Sequence, residues 1–200
     1  MEAFPARKPL LFEPVEEAYP YIEKNYSSFD YELVKAAVSD KDDQAKLEIR
    51  TRNENSPYFT STVVTERGAA HGSAMITTKT RTIKTITLDS FLAGKPRKAP
   101  YLLKLDVDGN EMDILRGASE TLKKTSCVIV EVALTNLFMR GQYLIDKGFT
   151  LWDIVDLGYY RDNLYHADLI FLSKEEKARA PFSPWQKLPF DGTKITTFLH

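Results

Sequence analysis

The chain has 200 residues, 27 Lys+Arg against 28 Asp+Glu, a net charge of −1 and a pI near 6.3, with 43% hydrophobic residues. That length and apolar content predict one domain with a real core and exclude global disorder, while the balanced charge excludes a broad nucleic-acid footprint. Lone Cys127 forms no intrachain disulfide and no zinc cluster, and no apolar run reaches the roughly 18 residues of a membrane helix, which together predict a cytoplasmic protein off the membrane.

In chain order, MEAFPARKPLLFEP lacks the apolar core of a secretory leader. Leu10-Leu11-Phe12 reads as a buried strand ending at Glu13-Pro14, and the proline stops further pairing. Val15 to Asn25 has helical spacing, with Pro20 marking a kink or a late start. Tyr31–Val38 reads as a second strand, and residues 39–43 as a polar turn. Over about 45–88 the polar alternation of β-formers predicts a meander inserted in the domain, whose Lys79, Arg81 and Lys84 read as solvated edge charges rather than as an anion site.

A short helix follows at Leu88–Leu92, capped by Thr87 or Asp89. Tyr101–Val107 is the next strand, Asp108-Gly109-Asn110 a turn, and Glu111–Lys124 a helix. Cys127–Leu134 is another strand, Leu137–Lys147 a helix closed by Gly148, and Phe149–Leu157 and Asp168–Leu172 the last strands, with a loop over 158–167. Strands alternating with helices predict a mainly parallel sheet covered on both faces. Residues 174–200 form a Pro-rich C-terminal extension.

Ligands in such sheets bind at the strand carboxyl ends. Glu13, Asp106, Asp108 and Glu131 stand at those ends. Glu13 suits a carboxylate holding the two hydroxyls of a ribose. Lys104 and Asp106 share one side of their strand, so a buried Lys104 finds its partner in Asp106 or Glu131, either as an architectural pair or with Asp106 facing the ligand. Asp108, Asn110 and Glu111 lie in the turn entering the helix, where the acids either cap its N-terminus or, as Asp106, Asp108 and Glu111 with Glu131, coordinate a hard cation such as Mg²⁺ or activate a hydroxyl. The spacing is not that of an EF-hand, and no nucleophile elbow or Walker loop is present. His71, His166 and His200 have no metal-ligand spacing, and His166 is either a loop histidine or a base reaching the cleft.

LLFEP at 10–14, AAVSD at 36–40, TLDSF at 87–91, LKLDVDGNEMDILRGA at 103–118, VIVEV at 128–132, DKGF at 146–149 and DLIFL at 168–172 together resemble the FkbM family of S-adenosylmethionine-dependent methyltransferases. The resemblance implies a Rossmann-like class I methyltransferase fold, a mostly parallel sheet with an antiparallel last strand, over residues 1–173. It implies methyl transfer from S-adenosylmethionine to a hydroxyl of a sugar or other small metabolite. By motif position Glu13 matches the acid on the donor's ribose, Ala37 and Val38 the adenine wall, and Lys104, Asp106, Gly109 and Glu111 the substrate-facing block. Asp106, which also borders the donor, is the first candidate for aligning or deprotonating the acceptor hydroxyl, and Glu131 the second.

The family's first strand and glycine-rich turn have no counterpart before Glu13. An N-terminally truncated chain that binds the donor poorly, or serves as a non-catalytic interaction module, is therefore the alternative expectation. A nicotinamide-binding dehydrogenase is a third reading of Glu13. The acceptor is left to the loops 53–72, 136–141 and 158–166, where Tyr159, Tyr160 and Tyr165 would suit stacking on a sugar ring.

Overall fold

A computed structural model describes residues 8–51, 59–64 and 76–179. The flanks of the 53–72 loop, His71 and the extension beyond residue 179, His200 included, lie outside the described residues.

β1 (Leu10–Phe12) pairs in parallel with β2 (Glu32–Val34) as a separate two-stranded sheet. Between them a 3-10 turn at Glu16–Ala18 leads into α1 (Tyr19–Asn25), with Pro20 in the first helical turn, where its missing N–H costs nothing. The Tyr31–Val38 run is not one strand. It breaks after Val34, and Ala37–Val38, β3, pairs instead with a strand of the next sheet.

β4 (Asp43–Thr51), β5 (Phe59–Val64) and β6 (Ile76–Ile86) form the expected meander. With β3 they order as β3-β6-β4-β5, β3 alone running parallel to its neighbour. Leu47 and Ile49 are buried here against Val15.

The third sheet positions the site. β7 (Tyr101–Leu105) pairs in parallel with β8 (Thr125–Ala133), and β8 pairs antiparallel with β10 (Asn163–Ser173). β9 (Phe149–Tyr160) closes the other edge, antiparallel to β10. The antiparallel last strand is as expected, but among the described residues antiparallel pairings outnumber parallel ones, and three sheets replace one mainly parallel sheet. The expected loop over 158–167 is a hairpin: β9 and β10 continue to a two-residue turn at Arg161-Asp162, both at positive φ.

α2 (Leu88–Gly94) is capped by Thr87, whose Oγ1 accepts from Ser90 N at 3.0 Å. Asp89 serves another helix, taking the N–H groups of Glu120 and Thr121 at 2.9 and 2.7 Å. The predicted helix 111–124 is two helices, α3 (Glu111–Arg116) and α4 (Ser119–Leu122). It breaks at Gly117, where a Cβ would stand 2.1 Å from the Ser39 carbonyl oxygen, so the close approach of β3 needs a glycine there. α5 (Leu137–Asp146) ends on Gly148 at φ 93°, and α6 (Lys174–Arg179) follows β10.

Alternation along β8 sends Val128, Val130 and Val132 to one face, where with Leu105, Leu169 and Phe171 they meet Ile114, Leu115, Ala118, Leu122 and Leu144. Each such buried valine, leucine, isoleucine or phenylalanine contributes about 1.5–3 kcal/mol. The opposite face carries Lys104, Glu131, His166 and Asp168 beside Ile129 and Ile170.

Candidate active site

Directly paired strand residues, and residues two apart, share a face. Lys104 pairs with Ile129 and Asp168 with Glu131, while His166 pairs with Ala133. Lys104, Glu131, His166 and Asp168 therefore lie on the face away from the principal core, near the carboxyl ends of β7 and β8, and Asp106 follows just past β7.

Lys104 Nζ stands 2.7 Å from Asp168 Oδ2 and 3.3 Å from Asp106 Oδ2. The lysine is half-exposed rather than buried, and its principal partner is Asp168, which sequence reasoning did not single out. Burial alone would lower its ammonium pKa, but Asp168 and Asp106 outweigh that and hold it above the usual lysine value.

Glu131 Oε1 lies 2.6 Å from His166 Nδ1. Burial raises the Glu131 carboxyl above the ordinary range against the pull of His166, and the neighbouring Asp106 carboxylate raises it further. Asp106, Glu131 and His166 are thus one cluster, joined through Asp106 to Lys104 and Asp168. An expectation that His166 sits in a loop gives way to a strand residue facing Glu131.

Glu111 does not join them. It is buried and ion-paired with Arg140 of α5, while Arg140 Nη1 donates to the Glu131 carbonyl at 2.9 Å. Burial raises the Glu111 carboxyl despite Arg140. Glu111 is a support behind the site, and the cation-ligand reading of Asp106, Asp108, Glu111 and Glu131 is corrected: among the described residues no three His, Cys, Asp or Glu side chains are grouped to hold a metal ion. Asn110 turns inward, its Nδ2 donating to the Val38 carbonyl at 2.9 Å. Arg140 was missed because its partner lies on another element; an arginine amid Leu137, Phe138, Gly141 and Leu144 was the available signal.

Glu13, at the end of β1, accepts from Val15 N at 2.7 Å through Oε1, and burial raises its carboxyl pKa. Among the described residues no group hydrogen-bonds its Oε2. A cavity of about 510 Å³ opens beside it at Pro14, Tyr19, Lys35 and Arg81. Ala37 and Val38 are buried, with Val38 in the principal core.

The described residues thus form a mixed α/β fold of several sheets, with Asp106 and Glu131 gathered near strand ends. A sequence model of the methyltransferase FkbM domain matches residues 3–164, and the chain belongs to that family. Over 65 residues it is 35% identical to the hexuronic acid methyltransferase AglP of Haloferax volcanii, a stretch covering 32% of this chain and 27% of that relative. The match thus spans about a quarter of the relative's length. No solved structure matches the chain. Among the described residues no helix is long and apolar enough to cross a membrane.

Proposed function

We propose that the chain is a cytoplasmic, class I S-adenosylmethionine-dependent methyltransferase that methylates a hydroxyl of a sugar or other small metabolite. The observation that carries this reading is the cluster of Asp106, Glu131 and His166 at the carboxyl end of β7 and β8, in a chain of the FkbM family. The likeness to a hexuronic acid methyltransferase favours a sugar acid among the acceptors.

The acidic residues present fit the donor: Oε2 of Glu13, without a hydrogen-bond partner among the described residues, suits a ribose hydroxyl, and Asp106 and Glu131 give an acidic mouth for a sulfonium. Ala37 and Val38, the adenine wall by resemblance, have their side chains buried, Val38 in the principal core, and do not add to that fit. When bound, the donor supplies an already electrophilic methyl group, so the protein's task is to orient the acceptor and take its proton. Asp106, held by Lys104 at 3.3 Å, orients the hydroxyl, and the Glu131 side of the cluster draws off the proton. Lys104 keeps Asp106 and Asp168 from repelling each other and so keeps the acids together.

One observation favours a second reading, an interaction module that binds the donor weakly: among the described residues the outer edge of β7 has no strand partner. Calorimetric titration with S-adenosylmethionine separates the two. The enzyme reading expects saturable binding that weakens about tenfold, or about 1.4 kcal/mol, in Glu13→Gln. Absence of binding, or an affinity indifferent to Glu13, supports the module. A parallel titration with a reduced nicotinamide nucleotide, expected to show no binding, tests the dehydrogenase reading.

A further inference from the structure

We infer that His166 is the group that takes the proton from the acceptor hydroxyl, with Glu131 and Gly158 as the residues that position it. This rests on the methyltransferase reading above and names the proton acceptor within it.

The geometry comes from three strands. Glu131 on β8 holds Nδ1 at 2.6 Å, a charge-assisted contact. In a neutral ring that contact places the proton on Nδ1, the opposite of the tautomer free imidazole favours in water, and leaves the lone pair on Nε2, whose edge of the ring lies over Gly158. Among the described residues Nε2 has no hydrogen-bond partner, and the side chain is 38% exposed.

Gly158 on β9 stands opposite His166 in the register. A Cβ at Gly158 would lie 1.7 Å from Nε2 and 1.8 Å from Cδ2, so the imidazole occupies the space that any other residue would fill. The glycine lets the ring lie across β9 and turn Nδ1 to Glu131. Tyr165, its ring centroid 5.9 Å from that of His166, flanks it.

The charged groups around the ring are Glu131 from β8, Asp106 and Lys104 from β7, Asp168 on β10 itself, and Arg140 of α5 against the Glu131 carbonyl. β9 brings the uncharged Gly158. Asp106 is held by Lys104 and Glu131 by the Nδ1 of His166, which leaves Nε2 as the ring nitrogen without a hydrogen-bond partner among the described residues, and histidine is the side chain most often used as a general base. As the acceptor oxygen forms its bond to the methyl carbon, the methyl–sulfur bond of the sulfonium donor breaks with its electron pair on sulfur. The hydroxyl proton passes to Nε2, giving an imidazolium paired with Glu131, and then to solvent.

The test has two arms, both on the full chain. Nitrogen-15 NMR of the histidines, with the His166 signals assigned through His166→Gln, reads the tautomer at a pH where the ring is neutral. The expected result is Nδ1–H in the wild type, shifting toward Nε2–H in Glu131→Gln and Gly158→Ala. A wild-type Nε2–H tautomer, or one unmoved by both substitutions, overturns the positioning. Because Gly158→Ala stands to strain the hairpin, its stability is also compared in a His166→Ala background, where the loss should shrink; an unchanged loss means the glycine does not serve the ring.

The second arm is methyl transfer. His166→Gln should lower kcat about 10²–10⁴-fold with little change in acceptor KM and abolish the acid limb of the pH–rate profile. A wild-type profile in His166→Gln overturns the proton-taking role. If the wild type transfers no methyl to any hydroxyl acceptor, the methyltransferase reading and that role both fall, while the tautomer result still decides whether Glu131 and Gly158 position the ring.

Discussion

Lys104 of β7 and Asp168 of β10 meet at 2.7 Å although a whole strand, β8, runs between them. The long lysine stem spans the face above Ile129, tying the parallel edge of the sheet to its antiparallel half. Asp168 is buried, whereas Asp106, the second partner at 3.3 Å, is more than half exposed.

That difference makes the two acids unequal. Lys104→Met leaves a buried carboxylate without its cation and should cost about 2–3 kcal/mol. Asp106→Asn should cost less than about 1 kcal/mol, because solvent screens its contact. Urea denaturation of the two variants checks the order.

The Glu111–Arg140 pair is enclosed on both sides. Arg140→Met should destabilise by about 3–5 kcal/mol by stranding the Glu111 charge, and Arg140→Met combined with Glu111→Leu should recover much of that loss. Equilibrium unfolding of the single and double variants reads the recovery. No recovery would mean that Arg140 acts chiefly through the Glu131 carbonyl.

Gly117 meets the Ser39 carbonyl, which is main chain and cannot swing aside. Gly117→Ala should therefore lower stability by about 1–3 kcal/mol, although alanine favours helix. A rise in thermal midpoint would show that β3 does not press on the α3–α4 junction.

Burial raises the Glu13 carboxyl, so the folded chain binds that proton more tightly than the unfolded one. Its contribution is present below the ordinary carboxyl pKa of about 4.3 and is lost as pH rises through the folded value. Glu13→Gln should match the wild type near pH 4 and become relatively more stable toward neutrality. Denaturation midpoints across that range test the sign.

Much of this was legible from local pattern. The run YLLKLDVDGNE spells β7, a turn through Gly109 and the entry to α3, since each signal lies within a few residues. Sheet membership was not legible: YELVKAAV is uniformly strand-like, and nothing in its period shows that Ala37 leaves β2 to join β6. The Arg161-Asp162 turn hid a hairpin because it lacks the asparagine or glycine that usually marks positive φ, and with it hid the strand position of His166. Asp106 and Glu131 stood out as strand-end acids, but their partners His166, Asp168 and Arg140 come from elements that only the three-dimensional pairing brings together.

The central claim is most directly tested by incubating the full chain with S-adenosylmethionine labelled in its methyl group and a panel of sugar and sugar-acid acceptors. The account predicts label in an ether-linked methyl on the acceptor, greatly reduced in Glu131→Gln. Transfer that survives that substitution unchanged, or no transfer to any hydroxyl at saturating donor, would contradict it.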